Sequence, residues 1–176
     1  AIAKYSEVTG DSQFQPILRR LIVSVKDKFI TKDNRTIHVL DSQLQIKETF
    51  RIVYYDGEIL FALLRAYGIF KEANIMQICE DLMNQFIADD YKKYHDHWLS
   101  YATNELLIYQ EKKEYYQFGL DNALGNINFI DKRDTAYPTM LELLVAASKM
   151  IEKLSSSELK TQIFQSPKEF NVVKDR

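Results

Sequence analysis

The chain has 176 residues, of which 46% are apolar and 12% are aromatic, with only 5 glycines and 3 prolines. This composition supplies a packed core and few helix breakers, so a compact helical protein is expected. The formal net charge is −2 and the basic residues are scattered singly, so nucleic acid is not expected as a partner. A single cysteine excludes a disulfide within the chain, and no apolar stretch approaches the roughly 20 residues that span a bilayer.

Two helices are predicted at the N-terminus. The segment "AIAKYSEVTG" reads as a helix that ends at Gly10, a residue suited to the position after a helix. The segment "DSQFQPILRRLIVSVKDKF" has Pro16 near its start and apolar residues at helical spacing. Because the sequence begins inside a helix, an upstream segment is expected. No signal peptide is visible, and localisation stays open, with the cytoplasm favoured.

A short β-hairpin or extended insert is predicted near residues 31–55. The stretches "TIHVLD" and "FRIVYY" are rich in β-branched and aromatic residues and flank a polar "SQLQ". His38 and Arg51 lie in this insert. They could reach into a cleft or merely decorate it.

Helical hairpins are predicted for most of the remaining chain. Residues 57–70 are apolar on nearly all sides, whereas residues 73–88 have one apolar stripe. Cys79 lies in that stripe, so we interpret it as a buried small hydrophobe rather than a nucleophile or ligand. A similar pair follows at 97–110 and 113–127.

A third hairpin is predicted from a helix at 139–154 and a short helix opened by Ser155 and Glu158 as a capping box. Tyr54, Tyr94 and Tyr137 precede corresponding helices and lie 40 and 43 positions apart (94 − 54 and 137 − 94). Periods near 40 indicate stacked helical hairpins. The predicted fold is therefore all-α, with one domain over residues 1–164 and an irregular tail over 165–176.

The segment "YYDGEILFALLRAYGIFKEANIMQICEDLMNQFI" resembles the hairpin unit of the (α/α)-toroid proteins. That superfamily includes N-acylglucosamine 2-epimerases, glucuronyl C5-epimerases and unsaturated glucuronyl hydrolases. The segment "YSEVTGDSQF" is similar to their frequent Y-x-x-T-G-D turn. The resemblance implies about six hairpins, whereas this chain supplies four. It is therefore expected to be an open arc or part of a toroid completed by a partner chain or an upstream segment.

The entry residues of the predicted inner helices are expected to meet at one mouth of the arc, where toroid enzymes place their sites. Helix N-termini there suit carboxylate or hydroxyl-rich ligands, and aromatic rings suit sugars. A carboxylate and a histidine could serve as general base and acid. The candidate catalytic residues are Asp56, Glu58, His95 and Asp96. The candidate substrate-binding residues are Tyr55, His97, Trp98, Tyr101, Tyr137 and Glu142.

Each candidate also has a structural interpretation. Asp56 and Asp96 stand where N-cap acceptors belong, and Thr139 with Glu142 forms a possible capping box. Trp98 could be a core anchor. Because His95 and His97 have no clear third partner, no metal is predicted, and no cofactor is expected. Nucleotide-binding, zinc-protease and serine-hydrolase motifs are not found in the sequence.

Two functional hypotheses follow. The first is a carbohydrate-binding or carbohydrate-processing domain of epimerase, lyase or glycoside hydrolase type, acting on a saccharide or uronic acid in bacterial polysaccharide metabolism. It predicts that Asp56, His95, Asp96 and Trp98 line one open pocket. The second is a non-catalytic helical-repeat module that binds a protein. It predicts that the same residues are buried caps and that the exposed apolar surface lies elsewhere.

Overall fold

The protein is all-α with a small two-stranded hairpin, as the sequence predicts. A computed structural model describes residues 1–52, 54–135 and 137–175. Within these ranges, none of the helices has the length and apolar content needed to cross a bilayer. The elements are α1 Ile2–Thr9, α2 Gln15–Phe29, β1 Val39–Leu40, β2 Ile46–Glu48, α3 Tyr55–Phe70, α4 Ala73–Ala88, a 3-10 turn Tyr91–Tyr94, α5 His97–Tyr109, α6 Lys113–Leu124, α7 Ile127–Asp131, α8 Pro138–Ser155, α9 Lys160–Ile163 and α10 Pro167–Lys174.

The chain divides into two compact units, Ala1–Asp89 and Asp90–Arg176, where the sequence predicts one domain over residues 1–164. We call them the N-terminal unit and the C-terminal unit. Each contains its own buried apolar residues.

In the N-terminal unit, α3 packs against both α1 and α4. Ala3, Leu18 and Ala66 bring α1, α2 and α3 together in one apolar cluster. Cys79 is fully buried on α4, and this burial, together with nearby Glu80, raises the pKa of its thiol. The prediction that Cys79 is a buried hydrophobe is confirmed.

The predicted insert is a short antiparallel β-hairpin. Val39 of β1 lies opposite Glu48 of β2, and Leu40 lies opposite Ile46. The register shifts between Val39 and Leu40, so the pairing contains an irregularity of the bulge type. Such a short hairpin needs contacts outside itself to be stable.

In the C-terminal unit, α5, α6 and α8 pack on one another. Gly119 lies at a close approach of these helices, since a Cβ there would lie 2.4 Å from Met150 Cε of α8 and 2.9 Å from Thr103 Cγ2 of α5. The absence of a side chain at Gly119 therefore lets the three helices approach closely.

The end of the chain differs from the sequence prediction. The segment over residues 165–176 was expected to be irregular, but it contains α10, where Ser166 Oγ accepts the Glu169 N–H at 3.2 Å. Phe170 is buried, and its ring centroid lies 5.3 Å from that of Phe164. This aromatic contact and the Ser166 cap explain why so short a segment is helical.

The predicted Ser155 capping box is also wrong. Ser155 Oγ donates to the Glu152 carbonyl at 2.6 Å instead of capping a following helix. The turn before α9 is held by Ser157, whose Oγ accepts the Leu159 N–H at 3.2 Å. The predicted short helix is present as α9, but Ser157 rather than Ser155 stabilises the turn that precedes it.

Several turns are made by residues other than glycine in the left-handed conformation. Lys71 ends α3 with φ 55°, and its N–H donates to the Tyr67 carbonyl at 2.8 Å. Tyr54, immediately before α3, has φ 80°. Gly10, which ends α1 with φ 71° as predicted, has no Cβ to make this conformation unfavourable.

Candidate functional site

Asp56 lies in the first turn of α3 with its side chain fully buried. Its Oδ1 accepts a hydrogen bond from the Thr36 hydroxyl and lies 3.0 Å from His38 Nε2, while its Oδ2 lies 2.7 Å from Arg51 Nε. No side-chain cap bond is found at the start of α3. The interpretation of Asp56 as an N-cap is therefore wrong, because the carboxylate turns toward the insert.

The tautomer of His38 follows from its neighbours. The Ile52 backbone N–H donates to Nδ1 at 2.7 Å, so Nδ1 is an acceptor and the proton of a neutral ring is on Nε2. Nε2 faces Asp56 Oδ1 and, at 3.1 Å, Thr36 Oγ1. Because groups of the chain itself contact both ring nitrogens, His38 tethers the insert to α3 rather than presenting an open base.

The neighbours of Asp56 on α3 are more accessible. Tyr55 and Glu58 are exposed. The Tyr55 ring centroid lies 5.5 Å from that of His38. Tyr55 and Glu58 could contact a ligand, whereas Asp56 could do so only if the buried contacts opened.

Asp96 is the N-cap of α5, as one interpretation of the sequence predicted. Its Oδ1 accepts the Trp98 N–H at 2.8 Å, and the residue has 0% relative exposure. Asn122 of α6 accepts the Asp96 N–H at 3.1 Å and donates through Nδ2 to the Asp96 carbonyl and to Ser100 Oγ, both at 2.8 Å. These bonds fix the start of α5 against α6.

His95 immediately precedes this cap and also has a structural contact. Its φ is 50°, and its Nδ1 lies 2.7 Å from the Asn122 carbonyl, which can only accept. Its Cε1 occupies the space that a Cβ at Gly125 would enter, at 2.7 Å. Nδ1 therefore carries a proton and donates a hydrogen bond to the Asn122 carbonyl oxygen of α6.

An aromatic cluster made of His97, Trp98 and Tyr101 lies in the first turns of α5. The ring centroids of Trp98 and Tyr101 are 5.8 Å apart at 77°, and those of His97 and Tyr101 are 6.2 Å apart at 80°. His97 is buried, while Trp98 and Tyr101 are half-buried. Edge-to-face packing of this kind favours a fixed arrangement of the rings.

Glu142 of α8 approaches the aromatic cluster, with Oε2 at 3.3 Å from His97 Nε2. Burial lowers the pKa of His97, although the Glu142 charge acts in the opposite direction. Burial and Glu142 both raise the pKa of Tyr101. The cluster therefore presents a neutral imidazole and a neutral phenol beside one carboxylate that is 45% exposed.

The capping box predicted from Thr139 and Glu142 is wrong. Tyr137 holds the N-cap position of α8, where no side-chain cap bond is found. Tyr137 is exposed, and the guanidinium carbon of Arg133 lies 5.0 Å from its ring centroid. Tyr137 thus packs on an arginine side chain, while Glu142 turns to His97.

The predicted site residues fall into two groups. Tyr55, Asp56 and Glu58 belong to the N-terminal unit, and the others belong to the C-terminal unit. That all of them share one mouth stays a prediction. In the described ranges, no group of three or more His, Cys, Asp or Glu side chains is arranged to hold a metal ion.

Two residues of these contacts were not singled out from the sequence. Thr36 bonds to Asp56 across 20 positions, and no local pattern indicates such a contact. For Asn122, by contrast, the sequence does contain a signal of a buried polar contact. It stands three residues from Gly119 and seven from Tyr115, on the buried side of α6, where a polar side chain needs a partner.

A different kind of surface occurs on α2. Leu18 alone is buried among the residues of this helix. The ring of Phe14, the N-cap of α2, packs edge to face on Tyr5 with 5.5 Å between the ring centroids. Phe14, Ile17 and Leu21, spaced by three and four residues, lie on one side of the helix and are exposed by 38%, 40% and 50%. We call these three residues the α2 strip. Contiguous exposed apolar side chains of this kind are typical of interaction surfaces.

Comparison with known proteins identifies no relative. No protein-family model matches the chain, and neither a curated protein nor a solved structure matches it significantly. The fold defines an all-α protein of two helical units with a β-hairpin insert. The resemblance to toroid hairpins stays a prediction, so any functional inference must come from the geometry of this chain.

Proposed function

We propose that the chain is a non-catalytic helical-repeat module that binds another protein through the α2 strip. The observation that carries this proposal is the exposure of Phe14, Ile17 and Leu21 on one face of α2. Burying such side chains against a partner contributes about 25 cal/mol for each Å² of apolar surface removed from water. A helix face of this kind is a common peptide and protein docking surface.

The buried carboxylates support the same proposal. Asp56 contacts Thr36, His38 and Arg51, and Asp96 caps α5, so neither carboxylate is presented to a substrate. An acid–base mechanism needs its groups within hydrogen-bond reach of the reacting atoms. In this proposal the two residues are therefore structural groups and not a catalytic pair.

The experiment introduces a photo-reactive amino acid at Leu21 or, as a control, at Val23. Val23 is more exposed but lies about 160° around the helix from Leu21. The Leu21 probe should cross-link a protein in the cells that express this chain, and the Val23 probe should not. The captured protein, once purified, should bind the wild type. Its affinity for the Leu21→Asp variant should be lower by a factor of roughly ten or more. If no captured protein binds in purified form, the proposal is overturned.

A second candidate function is saccharide binding at the aromatic cluster. The specific observation in its favour is that half-buried Trp98 and Tyr101 rings pack with His97, whose Nε2 lies 3.3 Å from the half-exposed carboxylate of Glu142. Aromatic rings pack on the apolar faces of sugars, and a carboxylate accepts hydrogen bonds from their hydroxyls. Because Glu142 would repel an anionic ligand, this arrangement favours a neutral sugar over a uronic acid.

Thermal shifts test this second candidate with a panel of neutral sugars, uronic acids and oligosaccharides. Binding to the folded state should raise Tm in a concentration-dependent way. Tyr101→Ala should abolish the shift, whereas Tyr94→Ala, which removes an exposed ring outside the cluster, should preserve it. A panel in which no sugar shifts the wild type would contradict saccharide binding.

A further inference from the structure

We infer that the partner of the α2 strip is an acidic amphipathic helix. This inference rests on the proposed function and adds the chemistry of the occupant. It is carried by three features of the N-terminal unit: the width of the apolar strip, the charges beside it, and the packing of the other side of α2.

The charges of α2 favour an acidic partner. Between Gln15 and Phe29 the helix carries four basic residues and one acidic residue, although the whole chain has a net charge of −2. Arg19 is paired with Glu72 and lies 4.0 Å over the Phe70 ring. Arg20 and Lys28 are exposed. Carboxylates on a partner would complement these two cations.

The order of residues along this face defines the partner further. Continuing the spacing of Phe14, Ile17 and Leu21 by three and then four residues reaches Ser24 and Lys28. The face is therefore apolar over its first half and polar to basic over its second half. The apolar part is about 10 Å long at 1.5 Å per residue. A partner helix should place apolar residues against this part and acidic residues near Arg20 and Lys28.

A second copy of the same face is a poor occupant. An antiparallel pair of such helices would leave Arg20 and Lys28 with almost no carboxylate to meet, because Asp27 is the one acidic residue between Gln15 and Phe29. A parallel pair would bring basic side chains together, and like charges at close range oppose association. The three apolar residues would have to overcome this repulsion. Charge complementarity therefore favours a different, acidic partner.

An anionic membrane surface is also a poorer fit than a helix. A helix that lies in a bilayer interface inserts its whole apolar face about 5–10 Å into the lipid boundary. In α2, the part of the apolar face that contains Leu18 and Ile22 packs in the cluster with Ala3 and Ala66. What remains is a narrow seam with exposed Arg20 on one side and the packed Leu18 and Ile22 on the other, which suits a single partner helix.

The test uses a helical peptide with leucines at heptad positions a and d and glutamates at the flanking positions. Its binding to the full chain is measured by fluorescence anisotropy at low and high salt. The wild type should bind it, and added salt should weaken the complex. The same peptide with lysines in place of the glutamates should bind much more weakly.

Matched variants locate the contact. Leu21→Asp should weaken binding of the Leu/Glu peptide by roughly tenfold or more, whereas Val23→Asp, at the more exposed position, should leave it unchanged. Arg20→Glu combined with Lys28→Glu should reverse the preference toward the Leu/Lys peptide. Unchanged melting curves confirm that each variant is folded.

Four outcomes would overturn the inference, and the last of them leaves the proposed function standing. The first is no peptide binding by the wild type. The second is that the wild type binds phosphatidylserine vesicles and not the peptide, and that Leu21→Asp abolishes this vesicle binding. That result would identify a membrane surface as the occupant. The third is a concentration-dependent dimer that Leu21→Asp dissociates, which identifies a second copy. If a protein captured at Leu21 binds in purified form but presents no acidic helix, the inference fails while the proposed function stands.

Discussion

Asp96 stabilises the first turn of α5 through its own carboxylate, so its loss should be visible in unfolding experiments. Asp96→Ala removes the acceptor for the Trp98 N–H and should lower the free energy of unfolding by about 1 kcal/mol. Asp96→Asn retains a capping oxygen and should lose less. Urea unfolding of both variants measures the difference. Equal stability of wild type and Asp96→Ala would contradict the capping role.

His97 should make stability depend on pH. Its pKa is held below the ordinary 6.5 by burial, so the unfolded chain binds a proton more readily than the folded chain. The contribution of neutral His97 to the free energy of unfolding is therefore fully present above about pH 6.5, the pKa in the unfolded chain. It is lost as pH falls from there through the lower pKa of His97 in the folded chain. Replacing the imidazole in His97→Gln should remove this part of the pH dependence.

The measurement is the free energy of unfolding from about pH 7.5 down to about pH 5, compared between wild type and His97→Gln, with the His97 ring followed by NMR. Glu142→Gln provides a second comparison, because removing the carboxylate that favours the imidazolium should lower the pKa of His97 further. A ring that titrates above 6.5 in the folded protein would contradict the sign.

At the scale of elements, the insert and α3 depend on the buried contacts of Asp56. Asp56→Ala leaves the Arg51 guanidinium without its carboxylate and should cost about 3 kcal/mol of unfolding free energy. Glu58→Ala, at an exposed position of the same helix, should change it by less than about 0.5 kcal/mol. Denaturant unfolding measures both, and similar values for the two variants would contradict a buried tether.

The packing of α6 against α8 depends on Gly119. A Cβ at Gly119 would lie 2.4 Å from Met150 Cε and 2.9 Å from Thr103 Cγ2. The flexible end of Met150 can move aside, but the β-branched Thr103 is stiffer, so Gly119→Ala should destabilise the protein by about 1 kcal/mol through overpacking. Because a smaller residue at 150 opens space, Gly119→Ala combined with Met150→Val should cost less than the sum of the single changes. Strict additivity in this double-mutant cycle would contradict direct contact.

Helix periodicity predicted most elements, because an apolar stripe must meet a neighbouring helix. The range 73–88 was predicted as observed, and α5 ends at Tyr109 within one residue of the predicted end. Among the failed predictions are a short helix and a set of contacts between residues that are far apart in the sequence. The segment that contains α10 has too few turns to show a period, and the contacts of Asp56 join residues that no local spacing relates. The cap predicted at Asp96 is present, whereas those predicted at Asp56, Thr139 and Ser155 are not, because local spacing does not determine which way a side chain turns.

At the scale of the whole molecule, the two units should be able to fold separately, because each has its own apolar core. We expect fragments 1–89 and 90–176 each to be helical by circular dichroism and to melt cooperatively. If either fragment is unfolded alone and folds only when the other is added, the units are interdependent.

The left-handed residues around α3 have a practical consequence for this protein. An L-residue such as Lys71 or Tyr54 pays about 1–2 kcal/mol for that conformation, a cost that glycine largely avoids. Lys71→Gly should therefore raise the melting temperature, since glycine suits the position after a helix. The stability of the chain can therefore be raised by substitution. A stabilised variant would tolerate additional destabilising substitutions, so that such variants of this protein could still be purified in folded form.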